Sequence, residues 1–190
     1  MKRTMLHKTN SRCSGHPINR MMPLVLCCLV FGALAVTKAY PQVEYGTDDF
    51  RITVDTRGQV VGLRDALHGK ELLAPEQPAP LAAVKRGETI EAPTSAEFLQ
   101  GDPVIRLTYA ESGARLDIGV EEKDTHVTFE ILRAEPIDAV DIVIWGPFPV
   151  TINQTVGEVV GVVRDDEFAV GIQALNVKTL GGYPQNAEGL

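Results

Sequence analysis

Hydrophobic and polar residues alternate along the segment that begins at Phe50. Phe50, Ile52 and Val54 are apolar, whereas the residues between them are polar or charged. A period of two places one face of a β-strand in a core and the other face in water. Arg57-Gly58 then offers a tight turn, after which the segment 59–64 returns. The pattern therefore predicts a β-hairpin.

The same alternation predicts several later strands. Their expected core-facing residues are Leu116, Ile118 and Val120; Val127, Phe129 and Ile131; Val140, Ile142 and Ile144; and, after a strand at 159–164, Phe168, Val170 and Ile172. No long apolar stretch has the 3.6-residue spacing of a helix. Roughly seven to nine short strands without crossover helices cannot form a parallel sheet. We therefore predict an all-β fold, an antiparallel β-sandwich.

The proline-rich region 74–93 departs from this regularity. It carries four prolines around the strand-like segment 81–85. Because proline lacks the N–H group that a sheet ladder needs, we expect this region to run along a sheet edge.

The first 39 residues are typical of an export signal. A basic stretch precedes the apolar run 21–36, and the small residues Thr37 and Ala39 suit signal peptidase. We predict a signal peptide at 1–39, a domain at 40–183, a linker or tail at 184–190, and a secreted or periplasmic protein. An uncleaved anchor and a start at Met21 or Met22 stay open. All three cysteines precede residue 40, so disulfides are not expected to stabilise the domain.

Charge is distributed unevenly along the chain. The formal net charge is −7, yet residues 1–39 hold six of the 18 bases and no acid, so the rest carries 12 bases against 25 acids. A body with a net charge of −13 repels phosphate backbones and anionic lipid headgroups. We therefore expect no nucleic-acid partner, and no membrane partner after signal cleavage.

The opening hairpin resembles a known fold family. The segment 50–65, followed by Gly69-Lys70-Glu71-Leu72-Leu73, resembles the start of the galactose-mutarotase-like β-supersandwich, and the stretch from Trp145 to Leu175 resembles later parts of it. The resemblance extends over most of residues 40–183, but the residues that carry it form hairpins rather than a catalytic motif. It implies a supersandwich-type fold, carbohydrate as ligand class and, in a longer protein, a catalytic domain downstream.

The candidates for catalysis are few. Only His68 and His126 follow residue 39, and neither aligns with the catalytic histidines of mutarotases, so we assign no catalytic residue. We likewise expect no cofactor and no metal site. The acidic group Asp165-Asp166-Glu167 is interpreted as a solvated hairpin tip, with calcium binding as the lesser alternative.

Sugar binding requires an aromatic face for the ring and polar groups for the hydroxyls. Trp145 is the single tryptophan, and we expect it on the face opposite Val140, Ile142 and Ile144. The predicted carbohydrate-binding residues are Trp145, Phe148, Asn153, Gln173, Asn176 and Tyr183. The alternative is that Trp145 packs in the core or against another domain.

These observations favour one function and leave two others open. We predict a non-catalytic amino-terminal module of a secreted glycoside-hydrolase-like protein, whose partner is carbohydrate or a downstream catalytic domain. The first alternative is a protein-binding or adhesive sandwich, which requires a large exposed apolar face on one sheet. The second is an aldose epimerase-like enzyme, which requires histidines and an acid that converge in a pocket.

Overall fold

A computed structural model of the chain describes residues 41–99, 101–157 and 161–179. The predicted signal peptide at 1–39, the tail at 184–190 and Tyr183 lie outside these ranges. Within them the chain forms β-strands and one short 3₁₀ turn, Ile137–Ala139, and no α-helix. The part of the chain that is described holds no helix with the length and apolarity needed to cross a bilayer.

All strand pairs are antiparallel, and the strands form four small sheets. Sheet I has the order β1-β2-β3, with β1 at Gln42–Gly46, β2 at Phe50–Asp55 and β3 at Val60–Asp65. Sheet II has the order β10-β4-β5, with β4 at Ala82–Arg86, β5 at Thr89–Glu91 and β10 at Ile142–Trp145.

The other two sheets are formed by strands consecutive in the chain. Sheet III has the order β6-β7-β8-β9, with β6 at Ser95–Leu99, β7 at Val104–Thr108, β8 at Arg115–Glu122 and β9 at Val127–Glu135. Sheet IV has the order β11-β12-β13, with β11 at Thr155–Val156, β12 at Gly161–Arg164 and β13 at Ala169–Ile172.

Sheets I, II and III share one hydrophobic core. Its buried side chains come from sheet I (Ile52, Val54, Val60, Leu63), sheet II (Ala82, Val84) and sheet III (Ala96, Ile105, Leu107, Leu116, Ile118, Val120). Tyr109, which follows β7, is also fully buried and donates a hydrogen bond of 2.9 Å to the carbonyl oxygen of Ala82. Stacked sheets around a common apolar layer make this an all-β antiparallel sandwich, as the sequence predicts.

The predicted hairpin and most of the later strands are confirmed, but three residues expected in the core, Ile131, Ile142 and Ile172, are exposed. Asp117 of β8 pairs with Arg133 of β9, whereas the next residue of β8, Ile118, pairs with Ile131. Leu132 of β9 is therefore an extra residue in a β-bulge. Ile131 lies opposite the buried Ile118 and therefore on the predicted, core-facing side of the sheet. It is nevertheless exposed on this edge strand, whereas Val127, Phe129 and Ala134 pack against the core.

The expected facing of Ile142 and Ile144 is wrong, although Val140 packs against the core as predicted. Val143 and Trp145 pack against the core, and Ile142 is exposed. The reason is the register with β4, in which Val143 pairs with Val84 and Trp145 with Ala82. Directly opposed residues share one face of a sheet. Ala82 and Val84 belong to the hydrophobic core and Ala83, opposite Ile144, does not, so this register places Val143 and Trp145 inside.

The strand-like part of the region 74–93 does not lie at a sheet edge, although β5, in the same region, does. Its strand β4 lies between β10 and β5, and Ala82, Ala83 and Val84 are all buried. The prolines stand outside the strand, so they remove no hydrogen bond from its ladders. The prolines therefore limit the length of the strand and do not determine its place in the sheet.

Gly58 supplies the conformation that the first hairpin turn requires. Its φ of 76° lies in the left-handed region, and a Cβ atom there would lie 2.8 Å from Pro93 Cγ and 2.9 Å from Leu107 Cδ2. Gly113 has a φ of 68° but open space around it. Substitutions at these two glycines therefore distinguish the effect of backbone strain from the effect of crowding in the core.

We expect Gly58→Ala to lower the free energy of unfolding by about 2–4 kcal/mol, because strain and overpacking add. Gly113→Ala carries strain alone and is expected to cost about 1 kcal/mol. Urea denaturation of both full-chain variants measures the difference. Equal losses in the two variants would contradict the packing of this turn against Pro93 and Leu107.

Candidate functional site

An open concavity of the described residues lies between two hairpin ends. It has a volume of about 430 Å³ and is lined by residues 44–48, Arg51 and residues 122–124. One rim is the β1–β2 turn and the other is the tip of the β8–β9 hairpin. We call it the polar concavity. Its volume falls in the range of about 300–1,000 Å³ that is usual for small-molecule sites, although it is open.

A threonine shapes the first rim. Thr47 is buried, and its Oγ1 accepts hydrogen bonds from the backbone N–H groups of Asp49 (3.1 Å) and Phe50 (3.3 Å). The Thr47 N–H donates to the Phe50 carbonyl oxygen at 2.9 Å. Threonine favours such turns because its hydroxyl satisfies local backbone groups. The turn that carries Asp48 is therefore fixed in shape.

One carboxylate joins the two rims. Glu122 Oε1 accepts a hydrogen bond of 2.6 Å from the backbone N–H of Gly46, across 76 positions of sequence. The β1–β2 turn itself requires glycine at position 46, because a Cβ atom there would collide with the Phe50 carbonyl oxygen. Since the acceptor is charged, the bond is stronger than one between neutral groups.

Tyr45 forms the aromatic wall of the polar concavity. Its ring packs edge-on against Phe129 with centroids 6.5 Å apart, and Phe129 packs against Trp145 at 6.2 Å. These three residues, the aromatic row, come from sheets I, III and II. Desolvation by burial, and then the negative charge of Glu122, raise the pKa of Tyr45. The phenol therefore stays protonated and able to donate a hydrogen bond.

The described ranges include five of the six predicted carbohydrate-binding residues. Trp145 and Phe148 are half-buried and pack against the core. Asn153 and Gln173 are exposed, and Asn176 Oδ1 accepts hydrogen bonds from Lys178 N and Thr179 Oγ1 in its own turn. No hydrogen bond or ring contact within the described ranges joins any two of these five. Their common role in sugar binding stays a prediction.

The two histidines lie in separate turns. His68 Nδ1 is 2.6 Å from Asp65 Oδ2, and His126 Nδ1 is 3.1 Å from Thr125 Oγ1 at the β8–β9 tip. Neither lines the polar concavity or the smaller one of about 180 Å³ beside β5. Over the described ranges, no three His, Cys, Asp or Glu side chains are arranged to hold a metal ion.

Several acids accept backbone hydrogen bonds and need no catalytic explanation. Glu91, at the smaller concavity, accepts bonds from the N–H groups of Glu111 (2.7 Å) and Ser112 (2.9 Å). Its desolvation acts to raise the pKa, but these bonds outweigh it and leave the pKa of Glu91 below its usual value. Asp165 Oδ1 accepts bonds from Glu167 N (2.9 Å) and Phe168 N (2.7 Å), as expected of a hairpin tip.

Sequence reasoning missed the residues of the polar concavity. Val43 and Tyr45 do alternate with polar residues, which was the available sign of strand β1. Glu122 has no local sign of its role, because its partner is Gly46 in a different sheet. The charged residues near 122 are also ordinary turn residues when considered alone.

Comparison with known proteins identifies no relative of the chain. No protein-family model matches the chain, and neither the curated proteins nor the solved structures give a match. The resemblance to the galactose-mutarotase-like supersandwich accordingly stays a prediction.

The Glu122 bond gives a direct test of how the two rims are held together. We expect Glu122→Ala to speed hydrogen exchange of the Gly46 amide about tenfold or more, since a charge-assisted bond contributes roughly 1.5–3 kcal/mol. Amide exchange followed by NMR measures this rate. The matched control is Glu121→Ala, which removes an adjacent acid paired with Lys123 and should leave the Gly46 rate unchanged. Equal acceleration in both variants would refute the bond between the rims.

Proposed function

We propose that this chain is a non-catalytic, carbohydrate-contacting β-sandwich module of a secreted or periplasmic protein. In a longer glycoside-hydrolase-like protein, it would stand on the amino-terminal side of the catalytic domain. The single observation that carries the proposal is the polar concavity with Tyr45 in its wall. An aromatic ring beside polar groups is the combination that sugars recognise, because their rings have apolar C–H faces and hydroxyl edges.

The shape of the polar concavity favours binding over turnover. It is open to solvent, whereas enzymes commonly close their sites to exclude water and strengthen electrostatic interactions. An open site with a fixed backbone rim suits an extended or branched chain of sugar residues. The lining of residues 44–48, Arg51 and residues 122–124 contains no histidine, so an epimerase-like proton shuttle by histidines has no support there.

The protein-binding alternative has less support than carbohydrate binding. The exposed large apolar residues on described strands are Val61 in sheet I, Ile90 and Ile142 in sheet II, Ile131 and Leu132 in sheet III, and Val156 and Ile172 in sheet IV. No described sheet thus carries more than two of them. Apolar residues scattered in this way are normal on soluble proteins and do not make a docking face.

Binding to a panel of neutral plant and host glycans, measured by titration calorimetry, tests the proposal. For the tightest glycan, we expect Tyr45→Leu to weaken binding about twofold to tenfold, because aromatic packing contributes roughly 0.5–1.5 kcal/mol. Tyr45→Phe keeps the ring against Phe129 and should lose less. Thermal unfolding of each variant shows whether the fold is retained.

The matched control changes an exposed residue outside the concavity. Leu132→Asp alters the bulge of β9 and should leave glycan affinity unchanged. If no glycan binds the full chain, the carbohydrate function is wrong. If Leu132→Asp abolishes binding and Tyr45→Leu does not, the site is wrong.

A further inference from the structure

The cations of the polar concavity are already engaged. Arg51 Nε lies 3.5 Å from Glu44 Oε1, and Arg51 Nη1 donates a hydrogen bond of 3.0 Å to the Phe50 carbonyl oxygen. Lys123 pairs with Glu121 beside it on the same hairpin. An anionic ligand would therefore have to compete with protein carboxylates for both bases.

The unengaged charges of the polar concavity are negative. Glu122 is bonded to Gly46, but Asp48 on one rim and Asp124 on the other are exposed, and neither makes a hydrogen bond or ion pair with any described residue. Carboxylates only accept hydrogen bonds. The lining holds four acids and two bases, so its formal charge is −2. Its field attracts cations and repels anions.

The third available group is the phenol of Tyr45, which stays protonated. Its hydroxyl has no hydrogen-bond partner in the part of the chain that the structure describes, and its ring borders the concavity. Two acceptors from opposite rims and one amphipathic ring thus face the same space. A ligand that satisfies all three needs several donors and an apolar face.

We infer that the polar concavity selects sugars that carry a protonated amine, such as glucosamine units, over uronic acids and other anionic sugars. The inference rests on the proposed carbohydrate function and specifies its ligand class. An ammonium group donates hydrogen bonds, and its positive charge complements the negative charges of Asp48 and Asp124. A neutral sugar has hydrogen-bond donors but no positive charge. The carboxylate of a uronic acid is repelled by the carboxylates at both rims.

Three tetrasaccharides test the charge preference directly. They are a glucosamine tetramer at mildly acidic pH, where its amines are protonated, its N-acetylated counterpart and a galacturonic acid tetramer. We expect the full chain to bind the glucosamine tetramer about threefold to tenfold more tightly than the N-acetylated form, because exposed ion pairs are individually weak. The preference should shrink at high salt, and the galacturonic acid tetramer should bind most weakly.

The double variant Asp48→Asn, Asp124→Asn assigns the preference to these two residues. It should bind the glucosamine and N-acetylglucosamine tetramers with equal affinity, because the negative charge that distinguishes them is gone from both rims. The matched control, Asp138→Asn with Asp166→Asn, removes two exposed acids outside the concavity and should keep the preference. A preference that survives the first double variant, or is lost in the second, overturns the inference.

The panel also separates failure of the inference from failure of the proposed function. If the N-acetylated or the galacturonic acid tetramer binds as tightly as the glucosamine tetramer, the chain binds carbohydrate but the charge preference is wrong. If none of the three binds, and no neutral glycan binds either, both proposals fail.

Discussion

The hydrogen bond from the Gly46 amide to Glu122 is the contact on which the polar concavity depends. The two residues are 76 positions apart in sequence, and the bond joins the β1–β2 turn to the tip of the β8–β9 hairpin. The two rims belong to separate sheets, and this bond holds them together at this edge along with the edge-on packing of Tyr45 against Phe129. Thr47 fixes the turn beside it, so the wall carrying Tyr45 and Asp48 is held by backbone hydrogen bonds.

Several acidic side chains stabilise the described domain by accepting hydrogen bonds, even though acids outnumber bases in it. Asp55 is buried, and its Oδ1 accepts hydrogen bonds from the N–H groups of Arg57 and Gln59 at 2.9 Å. Asp65 is buried too. Desolvation acts to raise its pKa, but hydrogen bonds from His68 and Leu67 outweigh it and lower the pKa. The chain has no cysteine after residue 39. Carboxylates stabilise its described turns, and an apolar core stabilises its interior.

These buried acids also explain why an acid count is a poor guide to catalysis here. Both oxygens of Glu91 accept hydrogen bonds from backbone N–H groups, and Asp55 accepts bonds from the backbone on one oxygen and from Arg57 Nε on the other. Such a group is satisfied and is not poised to move a proton. The exposed and unpartnered acids Asp48 and Asp124 are different, since their oxygens remain available to a ligand.

Much of the fold follows from local pattern, and most of the site does not. Alternation predicts β2 and β8 because each has one polar and one apolar face. It fails at β10, where Ile142, Val143 and Ile144 are apolar on both faces and the pairing with β4 decides the outcome. The concavity arises from contacts between sheets, so neither Tyr45 nor Glu122 has a neighbour in sequence that reveals its role.

The most direct test of the account is an NMR titration of the full chain with the tightest-binding oligosaccharide, followed through the backbone amide chemical shifts. The account predicts that the largest shifts cluster at residues 44–48 and 122–124, on both rims at once. Shifts centred instead on the exposed segment from Leu132 to Ile142, or confined to one rim, would contradict it.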